Sequence, residues 1–384
     1  MTAGGPRARR LGVFAVEDTS AQLTWGALGP GPVRIRAADT TRDLEADGGP
    51  GAIVLDDLPP SRRLTVEVTG DGVPEGRRTL LARTLAALPG PELTRLSTIS
   101  DLHIGLQGFG YFGTITEDAD HLTPWPERTT AAAFAEALEW GTERMVVKGD
   151  VTQHGRPDEW RTFARLRHAV ADLPVDIIPG NHDVRVGRHL SPVDAGRSFD
   201  LDVIDRMRVR HLPGLCLILL DTTVPGRNIG TLDPYVEPAV DTLRSVDADI
   251  GVLICVHHQL QPHVVAEGWP WGVQRAEARR FIEAVGAAHH HVLVTSGHTH
   301  RHRRWAHAGV TTTQVGSTSD HPGVWAGYVV HESGMRQVVR RIAQPDVLPW
   351  SERARDAALG AWGQVSPGRR EARCFTLHWR RPLG

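Results

Sequence analysis

The chain has 384 residues, long enough for two or three domains and a large core. Hydrophobic residues make up 40% and charged ones 23%, as in an ordinary soluble globular protein, and a net charge of −2 gives no overall attraction for nucleic acid or a membrane surface. Residues 1–20 carry arginines but no apolar signal core, and no run approaches a membrane span. The three cysteines, Cys216, Cys255 and Cys374, are odd in number and two lie inside apolar runs, so we expect buried free thiols and a cytoplasmic protein. Lys148 is the only lysine, and arginine carries nearly all the positive charge.

In residues 8–90, short apolar or alternating runs at 11–16, 22–25, 33–37, 52–55, 64–68 and 79–84 are separated by Gly, Pro and Asp clusters. That spacing predicts a small β-sandwich. The module resembles a fibronectin type III domain and is read as a packing module with no ligand of its own. Leu88-Pro89-Gly90-Pro91 reads as a linker. Residues 93–342 alternate strand and helix, with helices predicted over 129–142, 157–171, 234–246 and 275–287. Strand-like runs at 310–315, 324–330 and 337–342 follow without helices, so antiparallel strands are expected at the end of this domain. Residues 343–384 are rich in Arg and Trp, with a helix expected over 352–361 and a strand over 374–379. We read them as a strap over apolar surface in preference to a nucleic-acid-binding arm.

Five strand-like segments of the middle domain end in residues that bind metals. They close on Asp101-Leu102-His103, Gly149-Asp150, Gly180-Asn181-His182-Asp183, His257-His258 and Gly297-His298-Thr299-His300. In extended chain, residues two apart point the same way, so the imidazoles of His298 and His300 are expected to reach one place. Strand carboxyl ends are where open α/β sheets put their sites. Asp101, His103, Asp150, Asn181, His257, His298 and His300 form a mixed nitrogen and oxygen set without thiolate, suited to Mn, Fe or Zn. Seven side chains are too many for one ion but suit two ions sharing a bridging carboxylate, the common solution for phosphoester displacement by a hydroxide nucleophile.

In order and type, these motifs resemble those of the calcineurin-like metallophosphoesterase superfamily over residues 94–335. The resemblance implies an α/β protein with a four-layer α/β/β/α sandwich, here preceded by the small all-β module. It implies that Asp101, His103 and His300 hold one metal ion, that Asn181, His257 and His298 hold the other, and that Asp150 bridges. It also implies that His182 donates a proton to the leaving oxygen, with Asp183 orienting it. Of the His257-His258 pair the first is taken as ligand, and strand alternation should send the second to the other face. Gln153 stands where purple acid phosphatases carry a metal-binding tyrosine, and the Asp-Arg-Gly of Ser/Thr protein phosphatases is missing. Gly149-Asp150-Val151-Thr152 and the run Leu220-Asp221-Thr222-Thr223-Val224-Pro225-Gly226 are most similar to the bacterial class III cyclic nucleotide phosphodiesterase-like branch. Gln259 departs from the His-Pro-Pro often found there.

Phe109, Tyr111, Phe112 and Trp125, in the long segment 105–128, either stack on a base or aryl leaving group or pack the loop. Trp269 and Trp271 are candidates for the opposite wall, and Arg185 either contacts phosphate or pairs with an acidic neighbour. The expected activity is dinuclear metal-dependent hydrolysis of phosphodiesters, cyclic nucleotides among them, with a small phosphoester as partner and no membrane. The alternatives are a phosphomonoesterase, a nuclease using the Arg-rich tail, and a non-catalytic scaffold. The last expects degraded ligands, and none of the seven is lost.

Overall fold

The computed structural model describes residues 10–110, 113–117, 121–185, 187, 190–261 and 270–379. Seven strands come first: β1 (Gly12–Val16), β2 (Ala21–Trp25), β3 (Gly31–Ala37), β4 (Thr40–Ala46), β5 (Gly51–Leu55), β6 (Arg63–Gly70) and β7 (Arg77–Arg83). They form antiparallel sheets in the orders β1-β2-β5 and β4-β3-β6-β7. Alternation places Val33 and Ile35 of β3 and Val66 and Val68 of β6 in the core. β4, absent from the expected strands, is an edge strand whose sequence Thr-Thr-Arg-Asp-Leu-Glu-Ala carries too little apolar alternation to announce itself.

The remainder comprises β8 (Glu92–Ile99), α1 (Trp125–Glu139), β9 (Arg144–Lys148), α2 (Pro157–His168), β10 (Val175–Ile178), α3 (Pro192–Phe199), β11 (Met207–Leu212), β12 (Leu215–Leu220), α4 (Val236–Arg244), β13 (Gly251–Cys255), α5 (Arg275–Ala288) and β14 (Val292–Ser296). After them come β15 (Arg303–His307), β16 (Val310–Gln314), β17 (Val324–His331), β18 (Gly334–Arg341), α6 (Leu348–Ala354), α7 (Trp362–Val365), α8 (Arg370–Arg373) and β19 (Phe375–His378). One six-stranded sheet has the order β10-β9-β8-β17-β18-β19, the other β11-β12-β13-β14-β16-β15. β8, β9 and β10 are parallel, as are β12, β13, β14 and β16, while β17, β18 and β19 close the first sheet antiparallel.

Alternation along the central strands builds two cores. Leu217, Leu219, Leu253 and Cys255 pack with the first sheet, whereas Ile218, Leu220, Val252 and Ile254 pack with Leu243 of α4 and Phe281 of α5. Phe134 of α1 and Trp160 and Phe163 of α2 close the far side of the first sheet. α1 begins four residues before its expected start, because Pro126 is tolerated in a first turn. α3 and β11 were not expected. α3 is short, although Ser191 caps it by accepting from Asp194 N at 3.1 Å, and β11 is an edge strand interrupted by arginines.

The expected tail helix is displaced toward the N-terminus. Trp350 and Ala354, one turn apart on α6, bury against Trp125, whose ring stacks on Trp350 at 3.9 Å. The linker tetrapeptide is anchored: Leu88 is buried and Ser333 Oγ donates to Pro89 O at 2.6 Å. The N-terminal strands share the first core with the central sheets. No helix among the described residues is long and apolar enough to cross a membrane, and Cys216, Cys255 and Cys374 are buried free thiols.

Candidate metal centre

Neighbouring parallel strands deliver the ligand candidates in pairs. Beyond β8 and β9 the ladder continues, with Asp101 N donating to Gly149 O at 3.0 Å and His103 N to Asp150 O at 2.9 Å. Beyond β13 and β14, Gly297 N donates to His257 O at 3.0 Å. The first sheet thus contributes Asp101, His103, Asp150 and Asn181, the second His257, His298 and His300. All seven meet at the shared carboxyl edge. Lys148 ties the two sheets together beneath them, donating through Nζ to Thr295 Oγ1 at 3.1 Å and Ser296 O at 3.0 Å, and burial pushes its pKa down to about 8.

The extended-chain expectation for the paired ligands is corrected here. Asp101 (φ 56°), His103 (51°), Asp150 (48°), His298 (66°) and His300 (54°) all occupy the left-handed region, uncommon and strained for residues with a Cβ. The chain turns sharply after each strand, and these turns rather than strand alternation aim His298 at His257 and His300 at His103. The glycines of the motifs follow from the same crowding. A Cβ on Gly149, itself at φ 85°, would lie 2.5 Å from His257 Nδ1, and one on Gly180 would lie 2.1 Å from Asp150 N.

Each of four imidazoles spends one ring nitrogen on an oxygen outside the cluster. His103 Nδ1 meets Gln153 Oε1 at 2.9 Å, His257 Nδ1 meets Lys148 O at 2.8 Å, His298 Nε2 meets Trp271 O at 3.2 Å, and His300 Nδ1 meets Asp320 Oδ2 at 2.5 Å. With those nitrogens donating, the other four face inward as acceptors. His103 Nε2 then lies 3.2 Å from His300 Nε2, and His298 Nδ1 lies 3.2 Å from His257 Nε2. Lone pairs facing each other at that distance need a proton or a cation between them, and there are two such places.

The carboxylates complete the pattern. Asp150 Oδ2 lies 3.8 Å from His103 Nε2 and Asp150 Oδ1 lies 3.4 Å from His257 Nε2, one oxygen toward each imidazole pair. Asp101 Oδ1 is 3.5 Å from His300 Nε2, and Asn181 Oδ1 is 3.1 Å from His257 Nε2. Burial drives His103 and His298 down to about 3, whereas His257 is lifted to about 9 against its burial by Asp150, and His300 is raised by Asp320 and Asp101. Buried carboxylates with inward acceptor nitrogens are a donor set that fits metal ions. Donor atoms of Asp101, His103 and His300, and those of Asp101, Asp150 and His257, lie within 4.8 Å of one another in each set.

Several neighbours have roles other than those expected. Asp183 accepts from Val151 N (3.1 Å), Thr152 N (2.8 Å), Thr152 Oγ1 (2.7 Å) and Gly180 N (2.9 Å), so it clamps the two ligand loops together rather than orienting His182. Burial and then Asp150 raise its pKa to about 7. His182 is instead held by Gln153 O, 3.1 Å from Nδ1, and by Arg185, whose guanidinium lies 3.0 Å from Nδ1 and 3.3 Å from Nε2. Burial and then this guanidinium lower its pKa against the opposing pull of Asp150. His258 is not sent away. It is fully buried, its ring centroid lies 4.8 Å from that of His298, and its Nδ1 lies 2.8 Å from Thr222 Oγ1.

Trp125 is a core residue, Phe109 packs against the same cluster, and Trp271 stands 71% exposed at the rim beside His298. Tyr111, Phe112 and Trp269 lie outside the described residues. Asp320 and the buttressing role of Gln153 were missed. Asp320 stands in a Ser-Thr-Ser-Asp run with no ligand motif around it, and only the spatial proximity of His300 gives it meaning.

No protein-family model matches the chain. A curated relative, described as a probable cyclic nucleotide phosphodiesterase from Rhodococcus erythropolis, is 26% identical over 183 residues, 46% of this chain and 57% of the relative. The chain therefore spans little more than half the length of that relative. Among solved structures, a purple acid phosphatase from yellow lupin (Lupinus luteus) matches with a TM-score of 0.48 and 13% identity, over 86% of this chain and 72% of its own. A structure described as PhoD matches with a TM-score of 0.43 and 12% identity, over 90% and 89%. At these identities neither structural likeness bears on activity.

Proposed function

We propose that this chain, a calcineurin-like metallophosphoesterase by its ligand set and its curated relative, hydrolyses phosphodiesters at a dinuclear metal centre. The observation that carries the proposal is Asp150, whose two carboxylate oxygens face two separate imidazole pairs. Asp101, His103 and His300 would hold one ion and Asn181, His257 and His298 the other, with Asp150 shared. Two ions in such a site polarise phosphoryl oxygens and lower the pKa of a water molecule, which makes a nucleophile at neutral pH. The donor types suit Mn, Fe or Zn.

The chain's own residues position and move protons around that centre. Gln153, Lys148 O, Trp271 O and Asp320 keep the four imidazoles in the tautomers that turn an acceptor inward. His182, half-buried beside His103 with ring centroids 4.7 Å apart, is the proposed donor of a proton to the departing oxygen. Arg185 reaches the same point and offers a positive charge to a phosphate oxygen. The preference for diesters, cyclic nucleotides among them, is supported by the curated relative's description and by the motif style of residues 149–152 and 220–226. A small phosphoester is the proposed partner.

Protein loaded in turn with Mn, Fe and Zn should hydrolyse bis(4-nitrophenyl) phosphate and cyclic nucleotides with a higher kcat/KM than 4-nitrophenyl phosphate or single-stranded DNA. A chelator should abolish the reaction. Faster turnover of the monoester, or hydrolysis indifferent to the chelator, would overturn the proposal.

A further inference from the structure

The four outer partners of the inward-facing imidazoles are not equivalent. His257 and His298 donate to backbone carbonyls and His103 to an amide oxygen, whereas His300 donates to a carboxylate, Asp320. Asp320 is 2% exposed, and its other oxygen, Oδ1, accepts from Trp362 Nε1 at 3.1 Å. Trp362 belongs to the C-terminal segment after β18, and its ring stands edge-on to His300 with centroids 6.4 Å apart.

The loop that carries Asp320 reaches a second residue of the same ion set. Ser317 Oγ and Ser319 Oγ donate to Asp101 O at 2.9 and 3.0 Å. The C-terminal segment holds this loop from outside. Trp350 Nε1 donates to Ser319 O at 2.8 Å, and His321 Nδ1 lies 3.1 Å from Ser351 O. Asp101 and His300 are thus buttressed together by one loop pinned by one distant segment.

A carboxylate accepting from a metal-binding imidazole fixes its tautomer and makes the ligand nitrogen more basic, and loss of such a partner typically weakens the metal about 10–100-fold. We infer that Asp320, held in place by Trp362, is a positioning residue that makes the Asp101, His103 and His300 set the tighter of the two ion sites. The inference rests on the dinuclear reading above and assigns the C-terminal segment a part in building the centre.

Calorimetric titration of metal-free full-length protein with Mn²⁺ and with Zn²⁺ tests it, with circular dichroism as the check on folding. The wild type should take up two ions with distinct affinities. Asp320→Asn keeps the shape and removes the charge, and it should weaken the tighter site about 10–100-fold and leave the other unchanged. His300→Ala should strike that same site and Asn181→Ala the other. Trp362→Phe, which only removes the indole N–H, should weaken the same site as Asp320→Asn by a smaller factor. Unchanged affinities in both variants, equal weakening of both sites in folded protein, or loss confined to the weaker site would overturn the inference. A wild type that binds fewer than two ions would contradict the dinuclear reading itself, and the inference with it.

Discussion

A departing alkoxide needs a proton far more than a nitrophenolate does, and that difference isolates the role of His182. Its ring is oriented from outside by Gln153 O and Arg185, and it shares no hydrogen bond with the seven ligand candidates through its side chain among the described residues. His182→Ala should therefore keep both ions while slowing an alkyl or ribose ester by about 10²–10⁴-fold and a nitrophenyl ester much less. Equal losses on the two substrates with metal content intact would mean that the ring binds phosphate instead. At this scale the seven ligand candidates could be read from sequence, because each stands at or just beyond the end of an apolar run, and Asp150, Asn181 and His298 directly follow a glycine. The acceptors that set their tautomers could not. Lys148 O and Trp271 O are backbone atoms, and Gln153 and Asp320 are ordinary polar residues until folding brings them to His103 and His300.

The turns after the strands hold the site under strain, and Asp183 is what restrains them. Its carboxylate satisfies three backbone N–H groups from two different loops as well as the Thr152 hydroxyl. Asp183→Ala would leave these donors buried without partners, at about 1–3 kcal/mol each. We expect a marked fall in Tm together with weakened binding of both ions, since the two loops carry Asp150 and Asn181. A thermal melt and a metal titration of the variant check both. An unchanged melt would show that the clamp is dispensable. Helices α1, α2, α4 and α5 and the central strands were predictable from apolar periodicity, whereas α3 and the tail helices are too short to show a period and β4, β11 and β15 are edge strands whose arginines, threonines and histidines hide the alternation. The left-handed ligand residues had no sequence signal of their own, since Asp and His do not announce positive φ as glycine does.

Over the whole molecule, the N-terminal strands are built into the central core instead of being tethered to it. Asp18 holds the buried Arg336 through two bonds of 2.7 and 2.6 Å, Glu17 pairs with Arg340, and Arg373 Nη2 donates to Phe14 O at 2.9 Å. Removing one partner of such a buried pair costs about 3–5 kcal/mol, with the lower end apt here because Asp18 is partly exposed. Asp18→Ala should lower the unfolding free energy, read from a denaturant titration, by about that amount while leaving metal stoichiometry at the wild-type value. A chain beginning at Leu93 should retain every ligand yet be far less stable, with the Arg336 face of β18 uncovered. Full stability of that shortened chain would show the two parts to be independent. The strand spacing of the N-terminal part was readable in the sequence, but its attachment was not, because that depends on charged residues more than 300 positions apart. The central claim is that Asp150 joins two ion sites into one catalytic centre, and metal content measured alongside diester turnover in wild type and Asp150→Asn tests it most directly. The account predicts two ions and turnover in the wild type, with both ions weakened and nearly all turnover lost in the variant; an Asp150→Asn protein holding two ions tightly with undiminished activity would contradict it.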